Sequence, residues 1–249
     1  DPLIWREINW YGAHMAYKLE EAGHQGVITG AIFPAWSHMG FHWLGNYHNI
    51  ASMLTESATA RLATPVYVHP HQLGGEDGST LHAIPHYKAQ TNFPNPWWSV
   101  RDMIEQQLVA AKSVMDIASR YRDTVLCNAV QKALRQTKRG EEDPSAGFFI
   151  RADQHDPLTV TTLINILLRQ GIDIQRTRTC LTFDDTVYPA GTYFIPFAQP
   201  KRGVVKTLLE RTFWPDDSWT RQKDGSPSRP YDTVTDTMAE MMGVHVDPV

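Results

Sequence analysis

The chain has 249 residues, 42% of them hydrophobic and 20% charged, with a formal net charge of -4. That balance is ordinary for a globular protein and lacks the basic footprint of nucleic-acid binding, and no apolar run nears the ~18 residues of a membrane span. Two cysteines, Cys127 and Cys180, are too few for a disulfide framework or a zinc cluster; they are expected as buried thiols, with one long-range disulfide left open.

Asp1 stands where an initiator methionine would, and no charged, apolar leader follows it, so the chain is read as processed or cut from something longer. Asp1-Pro2 opens a helix, because aspartate suits the N-cap and proline the first helical position. Ile4, Ile8, Tyr11, Met15 and Leu19 recur at spacings of four and three and form one apolar stripe, which Gly23 ends. A short strand is expected over 26–29. Residues 30–49 carry Gly30, Pro34, Gly40 and Gly45 and are expected to be loop, rich in aromatics and histidine. Residues 50–56 (IASMLTE) form an apolar run ending in a carboxylate and are expected as a buried strand, with 65–68 as a second. A long polar, Gly- and His-containing stretch, 69–96, follows.

The longest helix is expected to start at Asn95-Pro-Trp-Trp-Ser and run to about Arg135. Val100, Ile104, Leu108, Ala111, Met115 and Ala118 form its apolar stripe. The charged, breaker-rich run 138–145 is a plausible domain boundary. Beyond it, 147–151 is a strand. Asp156-Pro157 caps a helix bearing Val160, Leu163, Ile164, Leu167 and Leu168, closed by Gly171, and 172–177 is a second strand. This strand–helix–strand unit is expected as a parallel pair. Short strands at 180–183 and 186–188 flank an Asp184-Asp185 turn, 193–197 is another strand, 201–211 a helix with Val204, Val205, Leu208 and Leu209 inward, and 231–242 a last helix.

Glu56 is the sharpest chemical signal. A carboxylate behind an apolar run is costly if buried, ionised and unpaired. It either forms an ion pair, with Arg61 as the nearest cation in sequence, or sits at a cleft as a general base. Tyr47, His48 and Trp36, just before it, are candidate substrate-binding residues. The pairs His38/His42, His69/His71 and His82/His86 are read first as surface or hydrogen-bonding histidines, with a self-contained metal site in 38–86 as a third reading. There is no H-x-x-E or H-E-x-x-H pair, no phosphate-binding glycine loop after the strand at Phe148 and no G-x-S-x-G elbow.

Taken in order, several segments resemble the zinc carboxypeptidases of the carboxypeptidase A-like family, and more closely a group of large secreted bacterial members. They are 1–63 with its aromatic loop and Tyr47-His-Asn-Ile-Ala-Ser-Met-Leu-Thr-Glu56, Asn95-Pro-Trp-Trp with its long helix, 153–157, 188–191, Gln199-Pro200, 229–232 and Met242-Gly243. The resemblance implies an α/β fold, with a partial carboxypeptidase-like α/β/α region over 1–140 followed by a small α/β domain over 146–249 that holds the strand–helix–strand unit. It implies a metallopeptidase hydrolysing peptide or amide bonds, secreted or periplasmic, with Glu56 as the general base and zinc lowering the pKa of the attacking water. The family's zinc ligands and carboxylate-binding arginines lie N-terminal to the matching region. Zinc is therefore expected in the intact protein and not on this chain, whose partners would be a peptide substrate and an upstream zinc-bearing half. The family's substrate-contacting tyrosine has no counterpart about twenty residues before Glu56, where Pro34-Ala-Trp-Ser37 stands. The alternative is a non-catalytic module that binds peptide or cell-wall material on a degenerate peptidase fold.

Overall fold

The computed structural model of the chain describes residues 1–24, 27, 40–57, 63–67, 97–218, 220–228 and 234–249. The strand expected at 26–29 apart from Val27, the 30–39 part of the expected loop with Trp36 and His38, Arg61, and the polar stretch 69–96 with the histidines at 69, 71, 82 and 86 lie outside the described residues. The fold is mixed α/β. No described helix is long and apolar enough to cross a membrane.

Helix α1 spans Pro2–Glu21, with the Asp1 side chain accepting from the Leu3 N–H at its start. Its buried face is Ile4, Glu7, Tyr11, Met15 and Leu19. Four of the five expected stripe residues are therefore inward. The fifth, Ile8, yields to Glu7, a charge drawn in by a partner described below.

Residues 97–141 depart from expectation in two ways. Trp97–Trp98 do not open the helix but form strand β2, which pairs antiparallel with β1, Val66–Tyr67. Helix α3, Val100–Arg120, starts instead at the Ser99 N-cap, whose backbone N–H and hydroxyl both donate to Asp102. A second helix, α4, Arg122–Glu141, follows after the single residue Tyr121. Helical hydrogen bonds run through that joint, from Tyr121 N–H to Ile117 and from Val125 N–H to Tyr121.

Helix α1 lies antiparallel along both. Its Met15 and Leu19 cluster with Ala110 of α3, its Glu7 meets Asn128 and Lys132 of α4, and Trp10 packs edge-on to Tyr121 at the joint, 5.1 Å between centroids. The face of α3 that α1 covers is Ala110, Ser113 and Ile117. The expected stripe is largely the opposite face: Ile104, Leu108 and Met115 are 56%, 50% and 63% exposed. The helical period is legible in the sequence; its inward phase is not. Small residues let α1 approach closely, so the buried side is the one with the least bulk.

The principal core lies in the last hundred residues. Strands β3 (Gly147–Ile150), β4 (Gln175–Arg176), β7 (Tyr193–Pro196) and β8 (Asp247–Pro248) form one sheet in the order β4-β7-β3-β8, every adjacent pair antiparallel. Strands β3 and β4 both oppose β7, so they run the same way with β7 between them. The expected parallel pair is thus split, and its two strands are not neighbours. Residues 172–174 do not join the ladder, and β8 had no sequence signal of its own.

Helix α5, Pro157–Arg169, is capped by Asp156, whose Oδ1 accepts from the N–H groups of Leu158 and Thr159. Together with α6, Arg202–Leu209, it covers one face of the sheet. Phe148, Ile150, Ile195 and Phe197 pack there against Val160, Leu163, Leu167, Val204, Val205 and Leu208, with Ala239 of the one-turn helix α7, Met238–Met241. Fully burying an aliphatic side chain of this size contributes about 1.5–3 kcal/mol, and this cluster is where such burial concentrates.

The other face meets a hairpin, β5 (Leu181–Phe183) and β6 (Thr186–Tyr188), through Phe149, Phe183, Tyr188 and Phe194. Its two-residue turn has Asp184 at φ 45° and Asp185 at φ 60°, the left-handed pair that matches strand twist. Cys127 and Cys180 are both free and exposed, which corrects the expectation of buried thiols or a disulfide. The last expected helix shortens to α7, with 231–233 outside the described residues.

One ion cluster ties α4 to α6. The Asp143 carboxylate lies just past the end of α4 and receives Arg202 and, at 3.1 Å, Lys206. Burial opposes ionisation of Asp143, but the hydrogen bonds from Arg202 and Lys206 outweigh it and hold the carboxyl below its ordinary value of 3.8. The folded pKa is depressed, so the stabilisation is present above the unfolded value and is lost as pH falls through the folded one. Acid titration of Asp143→Asn against the parent should show a smaller loss of stability below pH ~3.8; parallel curves would remove Asp143 from that role.

Candidate functional site

The stretch 40–57 is neither the expected loop nor the expected strand. Phe41–Tyr47 form a short helix, α2, with Gly40 as N-cap and His48 as C-cap. The expected breaker Gly45 lies within it. Residues 51–57 have no regular structure, Ile50 is 60% and Leu54 46% exposed, and Glu56 is exposed. An apolar run becomes a strand only where a neighbouring strand takes its backbone groups, and none pairs with it among the described residues. Side chains fix it instead. Asn46 Oδ1 accepts from Ser52 N–H at 2.9 Å, and Ile50 N–H donates to Gly45 at 2.9 Å.

Its far end is clasped to α3. Thr55 Oγ1 donates to Gln107 Oε1 at 2.8 Å, and Gln107 Nε2 donates to Ser57 Oγ at 3.1 Å. Both neighbours of Glu56 are thereby turned onto one glutamine, while the Glu56 side chain is exposed and makes no hydrogen bond or ion pair among the described residues. Beside the clasp a groove of about 300 Å³ is lined by Met15, Ala51, Met53, Ala110, Ala111 and Val114, with Gln107, Ser52 and Thr55 as its polar edge.

The other named residues sit at the opposite end of the stretch. Tyr47 and Leu44 pack onto the core of the four-stranded sheet. The Tyr47 carbonyl approaches α6 so closely that a Cβ on Gly203 would lie 2.8 Å from it, so glycine is needed there. His48 is held between α5 and α6: its Nε2 is 2.9 Å from Gln170 Oε1 and its Nδ1 is 2.9 Å from Lys201 Nζ. An ammonium only donates, so Nδ1 is the acceptor and Nε2 carries the proton given to Gln170. Burial and then the Lys201 charge hold the imidazole below its ordinary pKa, against a smaller opposite effect of Gln170. Asn49, at φ 66°, donates from Nδ2 to the Pro200 carbonyl at 2.8 Å.

Tyr47 and His48 are thus docked on the sheet, Glu56 is anchored beside α3, and the structure does not gather them into one cleft. Gln107, Gln170 and Lys201 were not singled out in the sequence. Polar side chains on helices give no local signal when their partners are 50 to 150 residues away. Among the described residues no group of three His, Cys, Asp or Glu side chains could hold a metal ion. Two of the described histidines pair with aspartates: His14 meets Asp116 and His245 meets Asp247.

No protein-family model, no curated protein and no solved structure matches this chain.

Proposed function

We propose that the chain is part of a zinc-dependent, carboxypeptidase-like hydrolase of peptide or amide bonds, with Glu56 as its general base. Residues 1–140 would form one wall of the catalytic domain and 146–249 a small α/β domain. The reading is supported by the order of family-like segments in the sequence. The observation that carries it is the Gln107 clasp, which holds the side chains of both neighbours of Glu56, Thr55 and Ser57, while Glu56 itself is exposed.

The chemistry asked of Glu56 is proton transfer. It takes a proton from the attacking water and returns it to the leaving amine nitrogen, a role that needs a carboxylate held in place and accessible to a second surface. Among the described residues no side-chain group fits a zinc site; the resemblance places the metal ligands in an upstream half of the intact protein, and no step is routed through the metal here. Secretion or a periplasmic location follows from the same resemblance.

The test is Glu56→Gln in the complete gene product. A loss of about a hundredfold in kcat/KM, roughly 3 kcal/mol of transition-state stabilisation, is expected with peptide binding retained. Full activity of that variant would sink the proposal, as would an upstream coding sequence without an H-x-x-E pair and a later histidine.

The groove favours a second reading, a module that binds peptide or cell-wall material without chemistry. Its small and methionine-lined walls suit one apolar side chain, and Gln107 offers a polar edge. Binding that is lost on filling the groove with Ala111→Trp, in a protein with no turnover, would select this reading.

A further inference from the structure

The contacts of His48 form a junction that neither proposed function uses. On one side lie α2 and the stretch leading to Glu56. On the other lie the end of α5, through Gln170, and the start of α6, through Lys201. We propose that the His48–Lys201–Gln170 contact is a proton-operated latch that holds residues 44–50 on the sheet when the imidazole is neutral and releases them when it is charged. The latch stands on this geometry and does not depend on a catalytic role for Glu56.

The acceptor at His48 Nδ1 is a lone pair, and Lys201 Nζ donates into it at 2.9 Å. Adding a proton at Nδ1 removes that acceptor and sets two cations against each other at hydrogen-bond distance. The Nε2–H donation to Gln170 survives, so the ring is not expelled but loses one of its two anchors. Among the described residues, Lys201 is the charged group facing the ring, while Gln170 on the α5 side and Asn49 on its own segment are neutral amides. The neighbouring cation Arg202 is turned to Asp143. Among the described residues no carboxylate pairs with His48, which separates this histidine from His14 and His245, each paired with an aspartate.

Release would be local. The other ties of the segment are the Asn49 donation to Pro200 and the seating of Leu44 and Tyr47 on the core. Strands β3 and β7 are not part of it. The backbone runs on from His48 through the Asn46–Ser52 bond to the clasp at Gln107, so loosening at the latch reaches the stretch that carries Glu56.

The sign follows from linkage. A neutral histidine favoured by the fold binds its proton less readily folded than unfolded. Docking is therefore complete above the ordinary imidazole pKa and weakens as pH falls below it, levelling off below the folded value.

Amide hydrogen exchange on the full chain between about pH 7.5 and about pH 5, corrected for intrinsic exchange, reads this directly. Protection over 44–50 should fall about tenfold or more on acidification while that of β3 and β7 holds, and the fall should vanish in His48→Gln. Gln keeps an acceptor for Lys201 and a donor for Gln170 but does not titrate. Lys201→Met, which removes the opposing charge but leaves the imidazole and its burial, should show a smaller fall than the parent and serves if His48→Gln does not fold. Constant protection in the parent protein, or an equal fall in the parent and the variants, would overturn the latch.

Discussion

Replacing Gly140 with alanine is expected to cost about 3 kcal/mol of folding stability, at the upper end of what overpacking a core does. The reason is where α4 ends. A Cβ built at Gly140 would lie 1.9 Å from the Phe197 carbonyl oxygen, 2.2 Å from its carbon and 2.5 Å from the Ala198 nitrogen. These are backbone atoms just beyond β7, and Phe197 itself is fully buried. No rotamer change relieves the overlap, so either α4 or the chain after β7 must move. Movement would also strain the Asp143 ion cluster beside it and the Gly203–Tyr47 approach on α6. Urea unfolding of Gly140→Ala should show a lowered midpoint. A change under about 0.5 kcal/mol, the range of ordinary surface substitutions, would mean that α4 does not seat on the sheet as described.

Lys132→Met is expected to destabilise by about 3–5 kcal/mol, and Glu7→Leu together with Lys132→Met by far less. Glu7 and Lys132 are each 4% exposed at the side chain and meet at 2.5 Å between α1 and α4. Asn128 Nδ2 donates to the second carboxylate oxygen at 3.0 Å. Removing the lysine alone leaves a carboxylate in an apolar helix interface with one amide for company. Removing both charges replaces a desolvated pair with packing surface. Thermal or urea unfolding of the two single variants and the double variant forms the cycle. Additive losses would show that the pair is not coupled and that the interface is wetter than its burial states.

Legibility of the fold followed the range of the interactions that build each element. The Asp1 and Asp156 caps, the Asp184-Asp185 turn and the inward quartet of α6 were all readable, because each rests on residues within a turn or two of one another. Ile50 to Glu56 is apolar without being a strand, because its contacts are to Asn46, which takes the Ser52 N–H, and to Gln107, which takes the Thr55 hydroxyl, one near and one far. No proline or glycine marks the break at Tyr121, which lies where Trp10 of α1 packs across the joint.

The candidate site was legible as a residue type and not as a constellation. Glu56 stood out by its surroundings in sequence, but its burial behind Leu54 and Thr55 did not materialise, since both are exposed. Tyr47 and His48 were grouped with it by proximity along the chain. In the structure they belong to the sheet lobe, because Gln170, Pro200 and Lys201 supply the hydrogen bonds that place them.

What the sequence by itself determined is the set of helices, turns and short strands over 147–209 and the start and inward stripe of α1. Caps, left-handed turn residues and helical spacing act locally and need no partner. Only the tertiary structure decided which side of α3 is buried, that β7 enters between β3 and β4, that a glutamate and a lysine 125 positions apart share one interface, and that Glu56 faces outward. Each of these is a choice of partner among surfaces that are locally equivalent, and that choice is made by burial and charge pairing between distant segments.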